Sequence, residues 1–472
     1  MNTLSNTFSA VVSVLILTAH LARAQTDQDT FILESLGRAI EARSADAEPR
    51  VKRGMYYLWR TFEYGKALED FNQALLLDPS NVTALIGRAD VYTGRDSRFY
   101  DPNKAFLDTN KAMEIDPKSS EAYRMRGDMP GHPGFSDFGN AIKDYQKAIE
   151  LNPDNMLAYL GLAYNFAKED SEFHDFNQAL DYARKAVDLA PNESLAIEAL
   201  GDLLASKPET LDEGLLFLNR AVQLNRRNVG SLIARGYLFL IRAMDEEIID
   251  IFGALKAEDL SLADIVVGNN EAFERALRKI GKNGLLSSAL RDFKEAQRLC
   301  PHNDDVFKAQ AFAVQNFPGQ ERRALNFYTR AAELNKFSAD NHIHRVEFLL
   351  EHPELGIAPE DLPAAANDGI DPAMLADLIS KSLPDLTAEL VEDCDKALGI
   401  EADNDTAHYL RGTLLATQGS YKEAIDSLNK ALELAPLNSR YYEARADVHE
   451  SFGRDEESQA DLERATDLND ID

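Results

Sequence analysis

Small and apolar residues recur along this chain at spacings that a helix explains. Alanine stands at Ala74, Ala112, Ala148, Ala186, Ala221, Ala296, Ala331, Ala397, Ala431 and Ala465. Seven residues before each comes a mostly small residue: Ala67, Ala105, Ala141, Ala179, Gly214, Ala289, Ala324, Leu390, Ala424 and Ser458. Between them lies a larger filler, Phe71, Tyr145, Leu218, Phe293, Tyr328, Leu428 or Leu462, with Thr109, Ala183 and Cys394 as poorer ones. The i, i+4, i+7 spacing puts all three on one stripe of a helix. A second helix is announced by Gly54, Ala89, Gly127, Ala163, Gly201, Gly236, Ala311, Val346, Gly412 and Ala446. All but Gly54 stand fifteen residues after one of the alanines; Gly54 stands fifteen after Ala39. Bulk at these small positions would force the two helices apart at about 1–3 kcal/mol per site. Pro79, Pro117, Pro153, Pro191, Pro301 and Pro436 end the alanine-bearing helix and begin the turn. The pattern predicts ten helix pairs, A then B.

The stretch from Gly412 through Tyr421, Ala424, Leu428 and Ala431 to Pro436 is the clearest example. It resembles the tetratricopeptide repeat of 34 residues, which has Gly or Ala at position 8, a small residue at 20, a large one at 24, Ala at 27 and Pro at 32. The resemblance implies an all-α fold, a right-handed superhelical solenoid of about ten tetratricopeptide-type helix-turn-helix repeats over residues 47–472. Residues 25–46 read as an N-terminal capping helix, with Phe31 to Arg43 as a lone helix B. The last helix, Asp455 to Leu468, is polar outside Leu462, Ala465 and Leu468, as an array end requires. Helix A of the third pair should stop near Asp128, ahead of Pro130 and Pro133. Length changes fall in the A-to-B turn, and two are large: about 245–285, with plausible helices at Ile248–Leu255 and Glu271–Ile280, and about 352–385, broken by Pro353, Pro359, Pro363, Pro372 and Pro384. Such insertions on one edge are either a binding face or tolerated loop growth.

A charge pattern runs inside the repeat. Position 7 is arginine in seven pairs: Arg53, Arg88, Arg126, Arg235, Arg345, Arg411 and Arg445. Position 23 is aspartate in six of those seven: Asp70, Asp108, Asp144, Asp292, Asp393 and Asp461. The three pairs lacking arginine have Tyr182, Phe217 and Phe327 there. We expect an Arg–Asp bridge between helices A and B of one pair; an anionic ligand on the arginines is the other reading.

By the resemblance, positions 2, 5, 9 and 12 of helix A line a concave groove. At position 9 stand Asp90, Asp128, Tyr164, Asp202, Tyr237, Phe312 and Asp447, along with Met55, Glu347 and Thr413. The acids suit a basic protein or peptide, and Leu160, Tyr164, Ile233, Tyr237 and Phe312 suit an apolar anchor. In the alternative reading the aromatics fill gaps and the acids are solvated. Position 9 offers no asparagine, so the carboxylate clamp that grips chaperone C-termini is absent.

Composition narrows the partners. The formal charge of -30 repels phosphate backbones and argues against nucleic acid. Phe8 to Ala19 is too short to span a bilayer and is followed by Ala22-Arg23-Ala24, so residues 1–24 read as a signal peptide and the mature chain as exported, periplasmic or secreted. No further stretch predicts a membrane span. Cys300 and Cys394 are expected as buried, unpaired thiols. Nucleotide-binding, nucleophile-elbow and zinc-protease motifs are absent, and His342, His344 and His352 are badly spaced for a metal. Asn81, Asn192 and Asn404 begin N-x-[ST] patterns in inter-pair turns, where capping explains them. The chain therefore reads as a non-enzymatic, cofactor-free, exported scaffold that binds a protein or peptide in its groove or by its insertions. An accessory or regulatory subunit of a cell-envelope or secretory complex is the alternative.

Overall fold

A computed structural model describes residues 28–94, 98–129, 138–168, 173–246, 284–315, 317, 320–357 and 372–469. Among these residues there are twenty-one α-helices and no strand. A helix over 28–42, α1, precedes α2 (Glu48–Tyr56), α3 (Tyr64–Leu77), α4 (Val82–Tyr92), α5 (Pro102–Ile115), α6 (Ser120–Gly127) and α7 (Phe138–Leu151). Then come α8 (Met156–Ala167), α9 (Phe176–Leu189), α10 (Ser194–Ala205), α11 (Leu211–Leu224) and α12 (Val229–Glu246). After the first insertion follow α13 (Leu285–Leu299), α14 (Asp304–Val314), α15 (Glu321–Leu334) and α16 (Ala339–Glu351). The series ends with α17 (Pro372–Ile400), α18 (Asp405–Thr417), α19 (Tyr421–Leu434), α20 (Ser439–Ser451) and α21 (Asp455–Asn469). Even-numbered helices are A and odd-numbered ones from α3 are B. The chain divides into two compact units, Met1–Leu238 with Lys294–His302, and Phe239–Phe293 with Asn303–Asp472.

The repeated alanines decide how closely the helices pack. All ten lie in the core at 0–2% exposure. Phe71 and Tyr145 show how the space is shared. The ring of Phe71 lies over both Gly54 of its own pair and Gly87 of the next, where an added Cβ would stand 2.8 Å and 2.4 Å from it. Tyr145 sits in the same way between Gly127 and Gly161. One large side chain thus locks three helices, and hydrogen is the only side chain its neighbours tolerate. Helix starts are capped by Asn81, Asp101, Asn155, Asp175, Asn303 and Asn404, each accepting from the backbone N–H three residues on.

The Arg–Asp bridge is present at Arg53–Asp70, Arg88–Asp108, Arg126–Asp144, Arg345–Asp393 and Arg445–Asp461. Arg53 donates Nε and Nη2 to the two Asp70 oxygens at 2.7 Å each, a bidentate fork. The arginine also reaches backward. Arg88, Arg235 and Arg445 donate to Asn72, Asn219 and Asn429 of the preceding helix B, at 2.8, 3.2 and 2.6 Å. Arg411, which has Ser427 in place of the aspartate, donates to Ser427 and to Asp395 of the preceding helix. The residue is therefore a clip between successive pairs as well as within one. A Cβ added at Gly37 of α1 would stand 3.9 Å from an Arg53 nitrogen, so α1 packs where the preceding helix B would be.

Several expectations are corrected. Leu462, expected as a core filler, is 45% exposed. The segment 372–385, expected as broken insertion, belongs to the continuous α17, with Pro384 inside the helix. Thr109, Ala183 and Cys394 are fully buried, and the Thr109 hydroxyl donates to the Ala105 carbonyl at 2.8 Å. Helix A of the third pair ends at Gly127, close to the predicted Asp128. Cys300 and Cys394 are free and buried, and burial pushes the Cys394 thiol up to about 12. The signal segment 1–24 and the helices proposed at Ile248–Leu255 and Glu271–Ile280 lie outside the described residues.

The bridge makes a direct prediction. In urea unfolding, Asp70→Ala should cost about 2 kcal/mol, and a double-mutant cycle with Arg53→Ala should return a coupling of about 1 kcal/mol. A coupling near zero would mean that the contact adds no stability.

Candidate functional site

The first unit turns back on itself. After α2 the chain makes a π turn over Tyr57–Thr61, and Phe62 then takes φ 54°, ψ 35°, a left-handed conformation uncommon for an aromatic residue. This bend carries the Arg60 carbonyl to the Asn225 side-chain amide, 3.3 Å away, at the end of α11. Glu63 and Arg227 meet across the same seam at 3.9 Å. The first pair therefore touches the end of the fifth, and the A helices between them enclose a concave space.

That space is a cavity of about 330 Å³. Its apolar wall includes Met55, Trp59, Val82, Ile86, Met156 and Leu157. Its polar wall holds Asp90, Glu121, Arg124 and Glu193. These residues come from helices A of five successive pairs, from the turns that open them or, for Trp59, from the π turn after α2. A second cavity of about 500 Å³ adjoins it and shares Met55, Trp59, Thr83 and Glu193 with the first.

Arg124 organises the polar wall. It is buried on α6 and forks onto both Asp90 oxygens of α4, at 2.9 and 3.0 Å. It also donates to Asp128 and, at 3.1 Å, to Glu121. Glu121 accepts in turn from the Asn155 amide at 2.9 Å, and Asp128 accepts from the Tyr145 hydroxyl at 2.7 Å. Burial opposes the guanidinium charge, but Asp90, Asp128 and Glu121 outweigh it and hold Arg124 firmly protonated. One cation cannot neutralise three carboxylates. Asp90 is the deepest of them, so burial raises it to about 6, against the pull of Arg124 and with the help of Asp128 and Glu121.

The predicted groove residues therefore have different fates. Asp90 and Asp128 are brought together, but on Arg124 rather than open to a partner. Tyr164 and Phe312 are 42% and 47% exposed, Asp202 and Asp447 are exposed and Tyr237 is half-buried. Leu160 and Ile233, expected to receive an apolar anchor, are buried in the packing between helices. Phe312 and Asp447 belong to the second unit. Sequence reasoning missed Trp59, Arg124 and Glu193. Arg124 occupies groove position 5, where an arginine among three acids was a usable signal. Glu193 lies just ahead of α10, outside the groove positions. Among the described residues no His, Cys, Asp or Glu cluster is arranged to hold a metal ion, and no helix is long and apolar enough to cross a membrane.

Residues 136–169 and 406–438 match the family descriptions "TPR repeat" and "Tetratricopeptide repeat". The chain carries tetratricopeptide repeats. It is 32% identical over 103 residues to small glutamine-rich tetratricopeptide repeat-containing protein 2 of Mycosarcoma maydis, covering 21% of this chain and 27% of that protein. It is 35% identical over 122 residues to tetratricopeptide repeat protein 6 of Homo sapiens, covering 26% of this chain and 22% of that one. The chain thus spans about a quarter of the length of these relatives. Among solved structures, yeast Tom70 aligns over 96% of this chain and 92% of its own, at 14% identity and a TM-score of 0.41. Tetratricopeptide repeats mediate protein–protein interaction and peptide binding, and scaffolds built from them are typically not enzymes.

The raised Asp90 carboxyl predicts a pH dependence. The folded protein holds this proton more tightly than the unfolded chain. The Asp90 contribution to stability is therefore full below about pH 4 and lost as pH rises through about 6. Asp90→Asn, which cannot titrate, should gain stability relative to the parent between pH 4.5 and 7.5 in paired urea titrations. A pH-independent difference would contradict this.

Proposed function

We propose that the chain is an exported interaction scaffold that holds a segment of a protein partner against the concave face of its first unit. The observation that carries this reading is the cavity of about 330 Å³ formed by five successive tetratricopeptide pairs. Its size falls in the range of small-ligand and side-chain sites, and its wall combines apolar surface with a few placed charges. The net charge of -30 favours encounter with a basic partner. Export rests on the apolar run Phe8–Ala19 followed by Ala22-Arg23-Ala24. No catalytic constellation enters the account; binding is the activity.

Leu157 is only half-buried on the cavity wall, so Leu157→Glu should disturb the site and spare the helices. Residues 25–472 and this variant serve as parallel baits in the extracytoplasmic fraction of the source cell, with helicity followed by circular dichroism. A partner retained by the parent and lost by the variant supports the groove. A partner retained by both, and lost when residues 247–283 are deleted, assigns binding to the insertion instead.

A further inference from the structure

We infer that the bound segment carries an apolar side chain with a lysine or arginine beside it, the cation held between the Glu193 carboxylate and the Trp59 ring. This rests on the groove reading above and names the chemistry that the groove selects.

The charges around the two adjoining cavities decide the point. In the inner cavity, Asp90 and Glu121 are both bonded to Arg124. In the outer cavity, Lys52 pairs with Glu48 at 3.2 Å, while the Tyr56 hydroxyl donates to Asp29 at 2.7 Å and the nearby Arg60 charge acts on it. Glu193 lines both cavities. It is half-buried, precedes α10 without capping it, and has no hydrogen bond or ion pair from its side chain among the described residues. A partly desolvated carboxylate without a cation is costly to keep, and a cation supplied by the partner offsets that cost. Trp59 shares both walls with it, and an indole ring attracts ammonium and guanidinium groups. Immediately inward, the apolar wall of Met55, Val82, Ile86, Met156 and Leu157 receives the neighbouring side chain. The acids already spent on Arg124 leave Glu193 as the charge available for selection.

Trp59 is the one tryptophan of the chain, so its emission reports on this site alone. Three capped tetrapeptides are titrated into the full mature chain: leucine beside lysine, leucine beside glutamate, and serine beside lysine. The leucine–lysine peptide should shift the emission saturably, and the other two should bind about tenfold more weakly or worse. Glu193→Gln should weaken the leucine–lysine peptide about tenfold and leave leucine–glutamate unweakened, while Glu193→Asp retains part of the preference. Equal binding of the lysine and glutamate peptides would overturn the inference, as would a Glu193→Gln variant that keeps full affinity. So would the lack of any saturable shift at millimolar peptide. If in those cases Leu157→Glu still loses the captured partner, the groove reading stands and only the chemistry assigned to it falls.

Discussion

In all but the eighth pair, where Val346 and Leu390 stand at the contact, helices A and B approach so closely that little more than a methyl group fits between them, and much of the molecule follows from that closeness. It requires the buried alanines of each helix B, and it leaves one position per pair to fill the residual space. Phe71 and Tyr145 fill it so fully that glycines 54, 87, 127 and 161 must lie around them. With the core this thin, the helix A surfaces opposite remain available to line a concave wall. The polar clip of arginine onto two successive B helices adds direction to a contact that apolar packing alone would leave free to slide.

The groove inherits its chemistry from the same economy. A long acidic chain places many carboxylates on its surfaces, and one buried arginine gathers three of them. Arg124 fastens α4 to α6 and stiffens the floor on which a partner would lie. It also removes Asp90 and Asp128 from the set that attracts a cation. The unpaired Glu193 acquires its importance by subtraction, and with the seam at Arg60 and Asn225 holding the first pair to the fifth it lines the same cavity as Trp59.

What the sequence made legible was periodic. The alanine stripe, the helix A stop before Pro130 and the Arg–Asp bridge each rest on contacts between residues a fixed distance apart, so spacing revealed them. The site was less legible because it depends on how five pairs curve together. Position 9 correctly drew attention to Asp90, which does line the cavity, but spacing does not say that Arg124, 34 residues on, neutralises it. Leu160 and Ile233 looked like groove residues and are packing residues. Pro384 looked like a breaker and lies within the long helix Pro372–Ile400.

If the concave face of the first unit is the binding surface, a partner must shield the A helices that line it. Hydrogen–deuterium exchange on the mature chain, with and without its captured partner, tests it most directly. The account predicts added protection in Glu48–Tyr56, Val82–Tyr92, Ser120–Gly127, Met156–Ala167 and Ser194–Ala205, the A helices of the first five pairs. Protection confined to the B helices, or to residues 247–283 and 358–371, would contradict it.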